Sequence, residues 1–151
     1  MNLEFLPYLN YYKKLYSLMF RATSGKYGLT QIEIDILLFL QNNPSFNTAK
    51  DIVALRGLAK SNVSTALESL RKRGYLASET DQENRKLVRL SLLEGAWEAV
   101  RELKDCQKQF LDIIYDGFSE KELEQLRSLK EKSNANVLRA LKNDMDGGNG
   151  K

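Results

Sequence analysis

Histidine is absent from this 151-residue chain, and cysteine occurs once, at Cys106. Histidine is the commonest metal ligand and the usual general base near neutral pH. We therefore predict no catalytic residue, no metal site and no cofactor, and we expect the protein not to be an enzyme. A single cysteine excludes an internal disulfide and is typical of the reducing cytoplasm, where we expect the protein to act.

Long apolar runs are also missing. No stretch of 18 consecutive apolar residues occurs, so we expect no membrane partner and no membrane-spanning helix. The first residues, "MNLEFLPYLNYYKK", lack a basic segment followed by an apolar block, so we expect no signal peptide. The length favours one domain, or one domain with an appended element.

Charge is unevenly distributed although the net charge is only +3. Residues 56–89 hold eight basic and four acidic side chains, a net +4, whereas residues 90–150 hold nine basic and twelve acidic ones, a net −3. A positive segment beside a negative one favours a polyanionic partner for the middle of the chain. Ordinary surface charge is the alternative.

The apolar spacing predicts six helices and one hairpin. Thr30 with Glu33, and Ser119 with Glu122, have the capping-box pattern of helix starts. Thr48 fits the N-cap of a short helix that Gly57 ends. The predicted elements are helices over 3–21, 30–43, 48–57 and 60–73, a hairpin over 75–92, a helix from residue 93 and a last helix from residue 119. The polar segment "TSGKYG" after the first helix is predicted to be a loop.

The fourth helix has two unlike faces. At 100° per residue, Ala66, Leu67 and Leu70 fall within about 60° of Val63 and form its apolar face. The opposite side is polar. Its smallest side chains lie near the N-terminal end of the helix: Ser61, Asn62, Ser64 and Thr65. The small polar groups are too numerous for one helix cap, so a function beyond capping is indicated.

These features together favour a helix-turn-helix that reads DNA. The major groove admits an α-helix whose serine, threonine and asparagine side chains can bond base edges. Three neighbouring features complete the pattern. They are the short helix before it, the basic cluster Arg71, Lys72 and Arg73 at its end, and the hairpin with Arg85 and Lys86 near its tip. A solvated amphipathic helix in a helix–hairpin packing unit is the alternative.

The segments "LTQIEIDILLFL", "TAKDIVALRGLAKSNVSTALESLRKRGYL" and "DQENRKLVRLSLLEG" resemble the MarR family of winged-helix regulators, from about Leu29 to Gly95. The wing pattern Asp81, Arg85, Lys86 followed by "LVRLS" narrows the resemblance to this family. Asn84 and Lys86 stand where family members often have an acid and a second arginine. Arg85 best matches the family's groove-inserting arginine.

The resemblance implies an α+β, mostly α-helical chain: a winged helix-turn-helix with long flanking dimerisation helices. We expect an N-terminal dimerisation helix and loop over 1–28, a DNA-binding domain over 29–92, C-terminal dimerisation helices over 93–142 and a disordered tail over 143–151. It also implies a homodimer that binds double-stranded DNA at a pseudo-palindromic operator and acts as a transcriptional regulator, a repressor relieved by a small-molecule effector.

The implied contacts divide by role. Four side chains of the fourth helix would approach bases, which are Ser61, Asn62, Ser64 and Thr65. Lys60 and Arg71 would contact phosphates, and Arg85 and Lys86 would serve the wing. A winged-helix module that binds a protein instead of DNA is the rival interpretation, and strong salt-dependent duplex binding would separate the two.

Aromatic residues suggest where an effector could bind. Tyr8 and Tyr12 in the first helix, with Trp97, would line a pocket for a small aromatic effector, as the resemblance implies. Packing in a core or a dimer is the alternative. For Cys106, a redox role has no support from a family motif, and burial is the simpler interpretation.

Overall fold

A computed structural model describes residues 5–147 of the chain. These residues form six α-helices, a single 3₁₀ turn and a two-stranded antiparallel sheet, which confirms the predicted mostly α-helical winged-helix fold. The helices are α1 (Phe5–Tyr27), α2 (Gln31–Asn42), α3 (Ala49–Arg56), α4 (Lys60–Lys72), α5 (Trp97–Ile114) and α6 (Glu120–Gly147). The strands are β1 (Leu76–Thr80) and β2 (Val88–Leu92), and the 3₁₀ turn is Glu94–Ala96.

Local signals fix most of the helix starts and stops. Thr30 caps α2 in a reciprocal pair with Glu33, and Thr48 caps α3 in the same way with Asp51. Gly57 ends α3 at a φ of 62° in the left-handed region, which glycine adopts at little cost. The sequence predicted all of these residues except Asp51.

The first helix is longer than predicted. It continues through Thr23 to Tyr27, although this segment was predicted to be a loop. The helix ends only at Gly28, whose φ is 62°, where the Leu29 N–H donates to the Ser24 carbonyl at 3.0 Å. Thr23 is buried, so tertiary packing outweighs the weak helix propensity of the segment. Pro7 is tolerated because it lies in the first turn.

The chain divides into two compact units, residues 1–110 and 111–151, with the boundary inside α5. The first unit has a core of residues from α1, α2, α3, α4, the hairpin and α5. Its completely buried large side chains include Phe20, Ile34, Ile36, Leu37, Ile52 and Leu70. The apolar residues of α3 differ in burial: Ile52 is buried but Leu55 is 56% exposed, because a helix of eight residues turns only part of its surface toward the core.

The second unit holds the end of α5 and all of α6. Ser119 and Glu122 form the predicted capping box, with the Glu122 N–H donating to Ser119 Oγ at 3.2 Å and the Ser119 N–H donating to the carboxylate at 2.8 Å. Helix α6 reaches Gly147, whereas the sequence predicted a tail from residue 143. No proline or glycine interrupts residues 143–146, so the helix can continue. Residues 148–151 of the predicted tail lie outside the described part, as does the side chain of Leu6.

The hairpin forms a short wing after α4. Its register pairs Leu76 with Leu92 and Thr80 with Val88, so the turn comprises residues 81–87. The polar segment "TDQEN" at residues 80–84 suggests the hairpin tip in the sequence, but Thr80 pairs within β1 and the turn extends to residue 87. The backbone N–H of Leu90 donates to the carbonyl of Asn47 at 2.8 Å, which joins β2 to the loop before α3.

Candidate nucleic-acid interface

The N-terminal end of α4 has no side-chain cap. Its N-cap is Ala59, and no cap hydrogen bond is present. Ser61, Asn62 and Ser64 are exposed, and none has a side-chain hydrogen bond to another residue within 5–147. Thr65 is also exposed, and its hydroxyl donates to the Ser61 carbonyl at 3.0 Å. The small polar side chains therefore do not cap the helix, and three of them remain available to a partner.

The opposite face of α4 explains why these groups point outward. Val63, Ala66, Leu67 and Leu70 are buried, which confirms the predicted apolar face. Because this face is anchored in the core, the polar side of the helix is held toward solvent in a fixed orientation. The structure thus brings all four predicted base-contacting residues to one exposed surface.

Two lysines lie beside this surface. Lys60, predicted to contact phosphate, is exposed at the first position of α4. With Lys50 of α3 it lines an apolar-walled cavity of about 350 Å³ that also involves Val53, Val63 and Ser64. Sequence reasoning missed Lys50, because only the packing of α3 against α4 shows that Lys50 and Lys60 line the same cavity.

The basic cluster at the end of α4 has internal partners. Arg71 Nη2 donates to Glu68 Oε2 at 2.7 Å, and Lys72 Nζ lies 3.8 Å from Glu68 Oε1. Arg73 donates from one nitrogen to the Tyr27 carbonyl at 2.8 Å and from the other to the Gly28 carbonyl at 2.5 Å. Arg73 thus holds the C-terminal end of α1, a structural role that the sequence did not reveal.

The wing is held by one carboxylate at its turn. Asp81 Oδ1 accepts from the backbone N–H groups of Glu83 and Asn84 at 2.8 and 3.0 Å, and Oδ2 accepts from Arg89 Nε at 3.0 Å. The hydrogen bond from Asn84, then that from Arg89, hold the pKa of Asp81 below its ordinary value. Arg89 also donates to Asn47 Oδ1 at 3.1 Å, so the turn is tied to the loop that begins α3.

Arg85 and Lys86 lie in this turn and are exposed. Residues 56–89 contain five arginines, and Arg85 is the one whose side chain has no partner within the part of the chain that the structure describes. The other four bind carboxylates or backbone carbonyls of the protein. The positive charge that the wing offers to an external partner therefore comes from Arg85 and its neighbour.

Of the predicted effector residues, only Trp97 lines the cavity at the base of the wing. Trp97 is 44% exposed and lines a cavity of about 260 Å³ at the base of the wing, with Leu40, Pro44 and Leu92 among the other walls. Tyr8 and Tyr12 lie on α1, half exposed, and neither lines that cavity. The assignment of these three residues to one effector site stays a prediction.

A polar network joins the first three helices below the interface. Asp35 of α2 accepts from Tyr16 of α1 at 3.1 Å and lies 3.4 Å from Arg56 of α3. Burial, and then the charge of Asp35, raise the pKa of Tyr16, so the phenol stays protonated as a donor. Cys106 is half buried, with its sulfur 3.5 Å from Thr23 Oγ1, as the burial interpretation predicted.

Within residues 5–147, no group of three or more histidine, cysteine, aspartate or glutamate side chains is arranged to hold a metal ion. In the same part of the chain, no helix is both long enough and apolar enough to cross a membrane.

Several solved structures share this fold. The chain is 16% identical to a MarR family transcriptional regulator from Listeria monocytogenes complexed with a 26mer DNA, with a TM-score of 0.77 over 97% of this chain and 95% of that one. It is 14% identical to MepR of S. aureus, solved as a DNA complex, with a TM-score of 0.73 over 90% and 96% of the two chains.

A third structure concerns the regulation of DNA binding of Bordetella bronchiseptica BpsR by 6-hydroxynicotinic acid. It is 20% identical, with a TM-score of 0.66 over 87% of this chain and 98% of that one. Comparison with curated protein sequences gave no match. These similarities to solved structures concern the fold.

The sequence model of the MarR family matches residues 27–87, which run from the end of α1 to the turn of the wing. This range contains α3, α4 and the predicted contact residues from Lys60 to Lys86. Over residues 27–87, the chain is therefore similar to the MarR family in sequence.

Proposed function

We propose that this protein is a sequence-specific DNA-binding transcriptional regulator that acts in the cytoplasm, without enzymatic activity. The observation that carries the proposal is the exposed N-terminal end of α4, where Ser61, Asn62 and Ser64 have no hydrogen-bond partner within residues 5–147. Such groups can bond base edges, and the uncapped N–H groups of the first turn favour a nearby phosphate. Two DNA complexes among proteins of the same fold support the same interpretation.

The proposed contacts follow from position and charge. Ser61, Asn62, Ser64 and Thr65 approach bases in the major groove. Lys60 and Arg71 contact phosphates on either side of them. Arg85 and Lys86 extend from the wing to the adjacent groove or backbone, where their unpaired charges attract the DNA.

We further propose that the protein acts as a homodimer at a pseudo-palindromic site. A two-fold dimer places its recognition helices about 34 Å apart, one turn of DNA. Exposed apolar side chains on α1 and on α6 support an interface, since a lone chain would leave them in water. They include Tyr8, Leu9, Tyr11, Tyr12 and Leu18 on α1, and Leu129, Val137, Leu138 and Leu141 on α6.

A repressor relieved by a small aromatic effector is the proposed mode of regulation. The exposed rings of Tyr8, Tyr12 and Trp97 could stack on such a molecule. The regulation of BpsR by 6-hydroxynicotinic acid, in a protein of the same fold, supports an aromatic acid as the first compound to test.

The direct test is selection of bound sequences from random duplex DNA, followed by affinity measurements over a range of salt. If about six phosphates are neutralised per dimer, log K against log salt should have a slope of about −5. A slope near zero, with no selected sequence, would favour the rival interpretation of a module that binds a protein.

The dimer has its own test. Leu138→Lys with Leu141→Lys should shift the full-length chain toward a 17.3 kDa monomer in sedimentation and weaken binding to a palindrome. Ser128→Lys with Asn143→Lys is the matched control, because it adds the same charge on the side of α6 opposite the exposed apolar residues. A wild-type monomer that binds one half-site as tightly as a palindrome would contradict the dimer.

A chain truncated after Leu92 gives a second test of assembly. It would keep α1 and α4 and lose the part of the proposed interface that lies on α6. We expect it to be monomeric or unstable, and any folded product should bind DNA weakly, with little preference for half-site spacing.

A further inference from the structure

Helix α4 contains one acidic residue, Glu68, and it lies on the polar side. Glu68 follows Ser64 and Thr65 by four and three residues, so the three side chains are neighbours on successive turns. All three line the same shallow surface groove, together with Lys72. A carboxylate therefore stands directly beside the groups proposed to contact bases.

A carboxylate at a DNA surface is unfavourable unless its charge is offset, because DNA carries about one negative charge per 1.7 Å of its axis. At Glu68 both oxygens have a cationic neighbour: Arg71 Nη2 at 2.7 Å from Oε2 and Lys72 Nζ at 3.8 Å from Oε1. Arg71 Nη1 also lies 3.5 Å from Ser78 Oγ on β1, which restricts the guanidinium from a second side. The local charge is net positive, and the carboxylate is held in place.

Helix stabilisation alone explains these pairs poorly. Exposed ion pairs three and four residues apart contribute little to folding. An ionised carboxylate, however, is an acceptor without a donor, so it discriminates among bases. In the major groove it can accept from the exocyclic amine of cytosine. Guanine presents only acceptors there, and thymine an acceptor and a methyl group. Adenine has an amine too, but beside it lies the N7 acceptor, which repels a carboxylate.

We propose that Glu68 is a specificity-determining residue that accepts from the N4 amine of a cytosine in each half-site, with Arg71 and Lys72 offsetting its charge. This inference rests on the proposed DNA-binding function. It adds an acidic side chain that contacts a base to a surface whose other members are small hydroxyl and amide side chains and basic residues.

The test compares selected DNA sequences for the wild-type chain, Glu68→Gln and Glu68→Ala. A glutamine presents the donor and acceptor that fit adenine, so Glu68→Gln should change the preferred base from cytosine to adenine at one position per half-site. Glu68→Ala should lose the preference there, lowering discrimination against the other bases by about tenfold. Glu131→Gln removes the same charge from an exposed site on α6 and should leave the selected sequence unchanged.

The outcomes are distinguishable. If both Glu68 variants select the wild-type sequence and bind every duplex more tightly by the same factor, Glu68 acts only as a negative charge and the proposal is overturned. If the wild-type chain itself selects no sequence, the proposed function fails and the role of Glu68 with it. Thermal unfolding of both variants, expected to match that of the wild type, separates a change in readout from a loss of fold.

Discussion

Helices α3 and α4 are consecutive, and both begin near short polar side chains, but they use them differently. At α3, the Asp51 N–H donates to Thr48 Oγ1 and the Thr48 N–H donates to Asp51 Oδ2, both at 3.1 Å. At α4, the cap position holds Ala59, and the polar residues fall inside the helix, where they cannot cap it. The comparison shows that the free N–H groups at a helix start can be bonded within the protein or left open to a partner. The position of one side chain decides which.

The largest expected effect tests the uncapped start of α4. Replacing Ser61 and Asn62 together by alanine should weaken binding to the selected DNA by about 2–4 kcal/mol, at about 1–3 kcal/mol for each good base contact. The free energy of unfolding should change by less than about 0.5 kcal/mol, because both side chains are exposed and make no hydrogen bond within the described chain. Fluorescence anisotropy and chemical denaturation measure the two quantities. Unchanged base preference would contradict the orientation assigned to α4.

The next largest effect tests the capped start of α3. Thr48→Ala removes a buried N-cap and should lower the free energy of unfolding by about 1–2 kcal/mol. DNA affinity of the remaining folded protein should change little, since Thr48 is inside the protein. Urea denaturation at constant protein concentration provides the measurement. An equal loss from Ser61→Ala would remove the distinction between the two helix starts.

These two expectations depend on features that the sequence predicts well. Helix caps and helix ends depend on residues close together in the chain, so they can be recognised in the sequence. The structure contains the ones predicted, which are Thr30 with Glu33, Thr48, Gly57, and Ser119 with Glu122. The spacing of Val63 and Leu70 likewise predicts which side of α4 is buried.

Contacts between residues far apart in sequence could not be predicted. Arg73 was interpreted as part of a basic cluster, but it binds carbonyls 45 and 46 residues earlier in the chain. Arg89 reaches Asn47 across 42 residues, and Thr23 is buried although its segment has the composition of a loop. In each case packing brings together groups whose spacing has no local pattern, so no periodicity or motif could reveal them.

A smaller effect is expected when the start of α4 is given a side-chain cap. Ala59→Asp should place a carboxylate where it can accept from the first-turn N–H groups of α4, and should stabilise the fold by about 0.5–1 kcal/mol. The same charge would repel phosphate, so DNA affinity should fall at low salt and recover partly as salt rises relative to the wild type. Thermal unfolding and binding titrations together provide the check. A variant that is more stable and binds as tightly as the wild type would show that the open helix end is irrelevant to binding.

The wing offers a comparison of free and bound arginines. Arg85→Ala should flatten the slope of log K against log salt by about one unit per wing, with the fold unchanged, and Lys86→Ala should do the same. Arg89→Ala removes the bonds to Asp81 and Asn47, so it should instead disturb the wing itself. Salt titrations combined with amide spectra of the turn distinguish a lost contact from a lost conformation.

The smallest effect concerns pH. Because the folded pKa of Asp81 is lowered, the stability that it contributes is complete above its unfolded pKa of about 3.9 and is lost as pH falls through the lower folded value. The amide signals of Glu83 and Asn84 should therefore hold their positions from neutral pH down to about pH 4 and shift only below it. Asp81→Asn should remove this acid transition. If the wild-type signals moved between pH 5 and 7, a different group would control the turn.

Arg73 also limits which residues can occupy its position. Its two nitrogens bind two successive carbonyls at the end of α1, and a guanidinium has the planar, forked shape that this requires. Lysine would carry the same charge on a single nitrogen and could not reproduce the paired geometry. In "RKRG", three adjacent basic residues are therefore not interchangeable, and a substitution that preserves charge at the third would still release the end of α1.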